Sequence, residues 1–162
     1  MENLTANINT TLAEELRLLE ELIDTGAQAT EAIAERSLDK LKQLDSAYQN
    51  HLLKLQIVRQ TQGRLMRALA SRIGPSIAGK GLKGMLEHVG AQTELIQLGL
   101  VQRAIARLQE INTRNKTLLD KKLASLRAFS QVVDLAGGAE RIYDQIGDVR
   151  RLDQAGRIEE MR

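Results

Sequence analysis

Apolar side chains recur near the start of the chain at Leu12, Leu16, Leu19 and Ile23, a 4-3-4 spacing that lays one stripe along a helix. The stripe predicts a first helix over about residues 4–25, with Gly26 as its stop signal. A second, longer run over about 30–72 falls into heptads, one position reading Ala34, Leu41, Tyr48, Leu55, Gln62, Leu69 and its seam partner Leu44, His51, Val58, Leu65. Gln62 and His51 are its polar interruptions. From about residue 91 to 136 the repeat is regular again, with Leu98, Ile105, Asn112, Leu119, Leu126, Val133 at one position and Val101, Leu108, Asn115, Lys122, Phe129, Ala136 at the other. Gly137 and Gly138 are expected to close this third helix.

Between the second and third helices, Pro75 and five glycines (Gly74, Gly79, Gly81, Gly84, Gly90) predict a linker over 73–90 that holds at most a short helix. Two helices of this length make rods on the order of 60 Å at 1.5 Å rise per residue. The expected fold is therefore all-α: an elongated antiparallel helical hairpin or coiled coil, covered in part by the N-terminal helix to give a three-helix, bundle-like domain over 1–138. Residues 139–162 carry only a thin apolar stripe, Ile142, Ile146, Val149 and Leu152, with Gly147 inside it. A stripe that thin is marginal as an isolated helix, so a mobile segment that orders on a partner is expected.

Composition agrees with helix: aromatic residues are 2 % of the chain, and Leu, Ala, Glu, Lys, Arg and Gln dominate. The net charge is +2, unevenly spread. Residues 1–25 set Arg17 against Glu2, Glu14, Glu15, Glu20, Glu21 and Asp24, whereas 26–73 and 91–136 carry surpluses of +4 and +3. Opposite signs on packed helices are expected to pair within the bundle rather than to serve nucleic acid, which asks for a basic face with groove-reading or stacking residues. With no cysteine, no basic leader before an apolar run and no run of 18 apolar residues, a cytoplasmic protein without membrane insertion is expected.

Candidate chemistry is sparse. Gly74-Pro75-Ser76-Ile77-Ala78-Gly79-Lys80-Gly81 matches the first part of a phosphate loop but has Gly81 where Ser or Thr must hold magnesium, and it follows a helix rather than a strand. It is read as a glycine-rich linker. His51 and His88 have no acidic or thiol partner at ligand spacing, so no metal site, cofactor or catalytic group is expected, and the chain is not read as an enzyme. His51 is taken as a tolerated polar residue at a seam edge. Asn112 and Asn115 sit in the seam itself, where a polar side chain either fixes register by hydrogen-bonding across the interface or marks a solvated patch. Tyr143 stands beside the C-terminal stripe, which either docks back on the bundle or binds a partner.

Leu108-Gln109-Glu110-Ile111-Asn112-Thr113-Arg114-Asn115 with its N-x-x-N, then Leu118 to Val133, a glycine pair and Tyr143-Asp144-x-x-Gly147, together resemble the FlgN family of flagellar export chaperones. Lys116 departs from the glycine that members often carry after the second asparagine. The resemblance implies an ATP-independent chaperone of bacterial flagellum biogenesis and type III secretion. Its clients would be the hook-associated proteins FlgK and FlgL, and it would present them to the export gate FlhA. It assigns client binding to Ile142, Tyr143, Ile146, Val149 and Leu152 and gate contact to Tyr143, on a monomer or weak homodimer. The alternative is a scaffolding coiled coil that acts by self-association.

Overall fold

The structure, a computed structural model, describes the backbone of residues 2–159 and the side chains of residues 2–131. It is all-α, with elements α1 (Glu2–Glu35), α2 (Leu38–Ile73), α3 (Pro75–Ala78), α4 (Gly81–His88) and α5 (Gln92–Glu159). No strand occurs among the described residues. No helix among them is long and apolar enough to cross a membrane. The chain forms two units, residues 1–118 and 119–162.

In the first unit α1 is central to the core. Ile8, Leu12, Leu18, Leu19 and Leu22 are fully buried, whereas α2 buries Leu55 and Leu69 and α5 buries Val101, Ala104 and Leu108. Each of these isoleucine, leucine and valine side chains contributes roughly 1.5–3 kcal/mol on burial. The Glu15–Arg59 ion pair and the close approach of Glu21 to His51 show that α1 and α2 run antiparallel. Gly26 and Thr30 meet Ile111 and Asn115, while Thr5 lies near Ala91 in the wall of one depression, so α1 and α5 run parallel.

The helix ends differ from the sequence reading, each for a local reason. α1 does not stop at Gly26; it runs on to Glu35. Gly26 is buried at a helix crossing, where an added Cβ would lie 2.9 Å from Ile111 Cγ2. Its missing side chain serves close approach, not termination. The true stop is Arg36, which takes a left-handed φ of 59° while Ser37 N–H donates to Ala32 O at 3.0 Å and Arg36 N–H to Ile33 O at 3.3 Å. That is a Schellman closure built on arginine instead of the usual glycine. In consequence α2 begins at Leu38 rather than near residue 30, and Ala34, expected in the second seam, is an exposed residue of α1.

The glycine-rich linker is more ordered than expected. Gly74 takes φ 88° and Pro75 opens the single turn of α3, which is where proline fits a helix. α4 then inserts Met85 and Leu86 into the core and closes at Gly90 with a second Schellman pattern: Ala91 N–H to Leu86 O and Gly90 N–H to Glu87 O. α5 continues through Gly137 and Gly138 to Glu159 instead of ending near Ala136. Each helical glycine costs only about 1 kcal/mol relative to alanine, so a pair without proline weakens a helix without ending it.

Candidate partner-binding surface

Polar contacts join α1 to both α2 and α5. Glu15 shares the buried stripe of Leu12, Leu19 and Leu22 and is 5 % exposed at its side chain. Arg59 Nε donates to its Oε1 at 2.9 Å and Gln62 Nε2 to its Oε2 at 3.0 Å. A buried carboxylate is tolerated only when paired and hydrogen-bonded, so Gln62, which interrupts the seam of α2, is present as the second partner of Glu15. Two turns along α1, His51 Nδ1 faces Glu21 Oε2 at 2.8 Å. Both atoms are shielded from solvent and neither has another partner, so the contact is attractive only with the proton on Nδ1. His51, at the seam edge, thus lies against a carboxylate of α1.

The two seam asparagines also find partners. Asn115, half-buried, donates through Nδ2 to Gly26 O at 2.8 Å and accepts from Thr30 Oγ1 at 2.6 Å. Asn112, at the exposed edge, donates through Nδ2 to the Tyr48 hydroxyl at 2.9 Å. Asn115 therefore bridges α5 to α1, and Asn112 bridges α5 to α2. On the exposed flank of α1, Arg17 donates to Glu14 at 2.9 and 2.6 Å and also pairs with Glu21. The Arg17 hydrogen bond, chiefly, holds the Glu14 carboxyl below its ordinary range, with further help from the charges of Arg17 and Lys54.

The phosphate-loop-like string forms α3 and the entry to α4. Its Ala78, Gly79 and Lys80 amides donate to Gly74 O, Pro75 O and Ile77 O, so they are used within helical turns and not offered to a phosphate. His88 lines an open depression of about 560 Å³ with Glu2, Arg72 and Glu94, a mixed-charge surface. No group of three His, Cys, Asp or Glu positioned for a metal occurs among the described residues.

What remains as a surface for a partner is apolar. In the second unit Leu119, Leu123, Leu126 and Phe129 of α5 are exposed by 42, 49, 63 and 67 %. The heptads place Leu119, Leu126 and Phe129 in a covered seam, and the structure corrects that expectation. Leu119, Leu126 and Phe129 face solvent in this unit, while Lys122 is half-buried. Ile142, Tyr143, Ile146, Val149 and Leu152 lie on the helical backbone of α5, but their side chains fall outside the described residues.

The comparisons with known proteins narrow the reading. No curated protein and no solved structure matches the chain. A family model does, described as FlgN protein, over residues 1–151. Matched over that span, the chain belongs to the FlgN family, a family of flagellar export chaperones.

Proposed function

We propose that this protein is a cytoplasmic, ATP-independent chaperone of type III export that holds the hook-associated proteins FlgK and FlgL and presents them to the export gate FlhA. The observation that carries the reading is the family match over residues 1–151. The exposed apolar positions on α5 support it, because amphipathic client helices are recognised by an apolar face laid against them. Clients that assemble through such helices in the filament would self-associate prematurely, and covering that face prevents it. Ile142, Tyr143, Ile146, Val149 and Leu152 are the proposed client stripe, and Tyr143 the proposed gate contact. Asn112 and Asn115 are proposed to fix the register of α5 on its neighbours through their hydrogen bonds to Tyr48, Gly26 and Thr30.

Deleting residues 139–162 is expected to abolish binding of FlgK or FlgL fragments in a titration while thermal unfolding changes little; unchanged affinity rejects the assigned stripe. Tyr143→Ala is expected to weaken FlhA binding more than client binding, and equal losses would reduce Tyr143 to part of the client surface. A self-associating scaffold is the second reading, favoured by the exposure of Leu126 and Phe129. Sedimentation separates the two: a stable, concentration-independent oligomer supports the scaffold, a monomer or weak dimer the chaperone.

A further inference from the structure

We propose that the outer face of α2 is a two-fold interface, on which a second copy of this chain lays its own α2 antiparallel, centred between Leu53 and Ile57. The proposal goes beyond the chaperone reading and does not rest on it.

α2 turns Leu55 and Leu69 into the core, and on that side Arg59 and Gln62 reach Glu15 of α1. On the opposite side Leu53, Ile57, Gln60, Arg64 and Arg67 recur at 4-3-4-3 spacing, which sets them on one helical face. The same spacing run upstream passes Gln49 and Ser46 to reach Lys42 and Asp39. Every residue of this stripe is exposed, so nothing in the described chain covers it. At its middle Leu53 and Ile57 are exposed by 60 and 64 %.

Charge along the stripe is sorted. Asp39 stands in it and Asp45 at its rim, both before Leu53, whereas Arg64 and Arg67 come after Ile57. None of the four makes an ion pair among the described residues, although Arg59 on the covered side pairs with Glu15. A parallel neighbour would set like charge against like. An antiparallel copy related by a two-fold axis sets Leu53 against Ile57 of the other copy, and the same register brings Arg64 opposite Ser46 and Arg67 opposite Gln43. Asp45 and Asp39 then lie within about one turn of the two arginines, so opposite signs meet at both ends. Lys42 is the exception, since it falls opposite Ala68, beside Arg67 of the other copy.

The same sorting disfavours other occupants. A nucleic acid or an anionic lipid surface presents one sign throughout and would repel the acidic end of the stripe. A helix held by heptad packing wants an apolar side chain at every turn, and here Gln49 and Gln60 flank the two aliphatics. Two aliphatic side chains per copy are few for an obligate dimer, whose interface is larger and more apolar, so the association is a concentration-dependent one.

Sedimentation of the full-length protein over a concentration series tests the interface. Wild type is expected to pass from monomer to dimer as concentration rises. Arg64→Glu with Arg67→Glu, and separately Asp39→Lys with Asp45→Lys, are each expected to weaken dimerisation by roughly tenfold or more, because each sets like charges together at both ends. An equimolar mixture of these two variants is expected to recover the dimer, since every facing pair is again of opposite sign. Lys42→Glu is expected to tighten it. All five side chains are exposed, so helical circular dichroism is expected to stay at the wild-type level and loss of folding to be distinguishable from loss of pairing. A protein that stays monomeric at every concentration, a dimer that survives both charge reversals, or two variants that fail to complement each other would overturn the proposal. Self-association lost with Leu126→Ser and Phe129→Ser but kept in the charge variants would place the contact on α5 and sink it equally. So would capture of anionic vesicles or single-stranded RNA that Arg64→Glu with Arg67→Glu removes.

Discussion

Gly26→Ala tests the crossing of α1 and α5. In an open helix this substitution stabilises by about 1 kcal/mol, because alanine loses less backbone entropy than glycine. Here the new Cβ would lie 2.9 Å from Ile111 Cγ2, a separation at which something must shift. Ile111 is β-branched and stiff at χ1, and Asn115, one turn further along α5, is hydrogen-bonded to Gly26 O at 2.8 Å, so neither neighbour yields freely. Overpacking of this kind costs about 1–3 kcal/mol, which more than offsets the propensity gain and leaves a net loss of up to about 2 kcal/mol. Ile111→Ala removes the obstructing methyl at a cost of about 2 kcal/mol, near the low end for a half-buried isoleucine. The double variant is then expected to lose less than the sum of the two, with a coupling of about 1–3 kcal/mol. Urea unfolding of all four proteins, followed by circular dichroism, measures the cycle. If Gly26→Ala instead raises stability by its intrinsic propensity and the two substitutions simply add, the close approach is not what selects glycine.

Arg59→Met with Gln62→Leu strands the buried Glu15 carboxylate, and a loss of about 3–5 kcal/mol is expected in urea unfolding, most of it recovered by adding Glu15→Leu. Arg36→Gly relieves a left-handed non-glycine residue and is expected to raise stability by about 0.5–1 kcal/mol, the gain being trimmed by the greater freedom of glycine in the unfolded chain. Its counterpart, Gly90→Ala, forces a side chain into φ 72° and is expected to cost about 1 kcal/mol in the same assay. Glu14 is depressed in the folded state, so its contribution is present above its ordinary value of 4.5 and fades as pH falls through the lower folded value. Glu14→Gln is therefore expected to flatten the acid limb of a stability–pH curve slightly, as befits an exposed pair.

Hydrophobic period carried most of the fold. The seams of α2 from Leu41 onward and of α5 from Leu98 to Leu108 are half-buried or buried, His51 and Gln62 included. The determinants that periodicity misses are non-local. A glycine after an apolar stripe looks like a stop, and only the approach of Ile111, 85 residues along, shows Gly26 to be a contact point. Glu15 was legible in part, since it stands three residues after Leu12 and four before Leu19, on the buried face, but its partners on α2 could not be read from that position. The exposure of Leu126 and Phe129 was illegible for a similar reason: a heptad says which face is apolar, while coverage depends on where another helix begins. Arg36 left no signal, because arginine is not a residue that local propensity places in the left-handed region.

The placement of apolar surface also limits how a partner can be held. Prying α1 away to offer its core would expose Ile8, Leu12, Leu18, Leu19 and Leu22, about 10 kcal/mol at roughly 1.5–3 kcal/mol per side chain. That is comparable to the entire stability of a domain, about 5–15 kcal/mol. It would also tear Glu15 from Arg59 and Gln62 and Asn115 from Gly26 and Thr30. The stripe from Leu119 to Phe129 already faces solvent, so covering it requires no such opening and no coupled source of energy. Affinity for anything laid on a surface of this second kind comes from the new interface itself and not from a fold broken and remade.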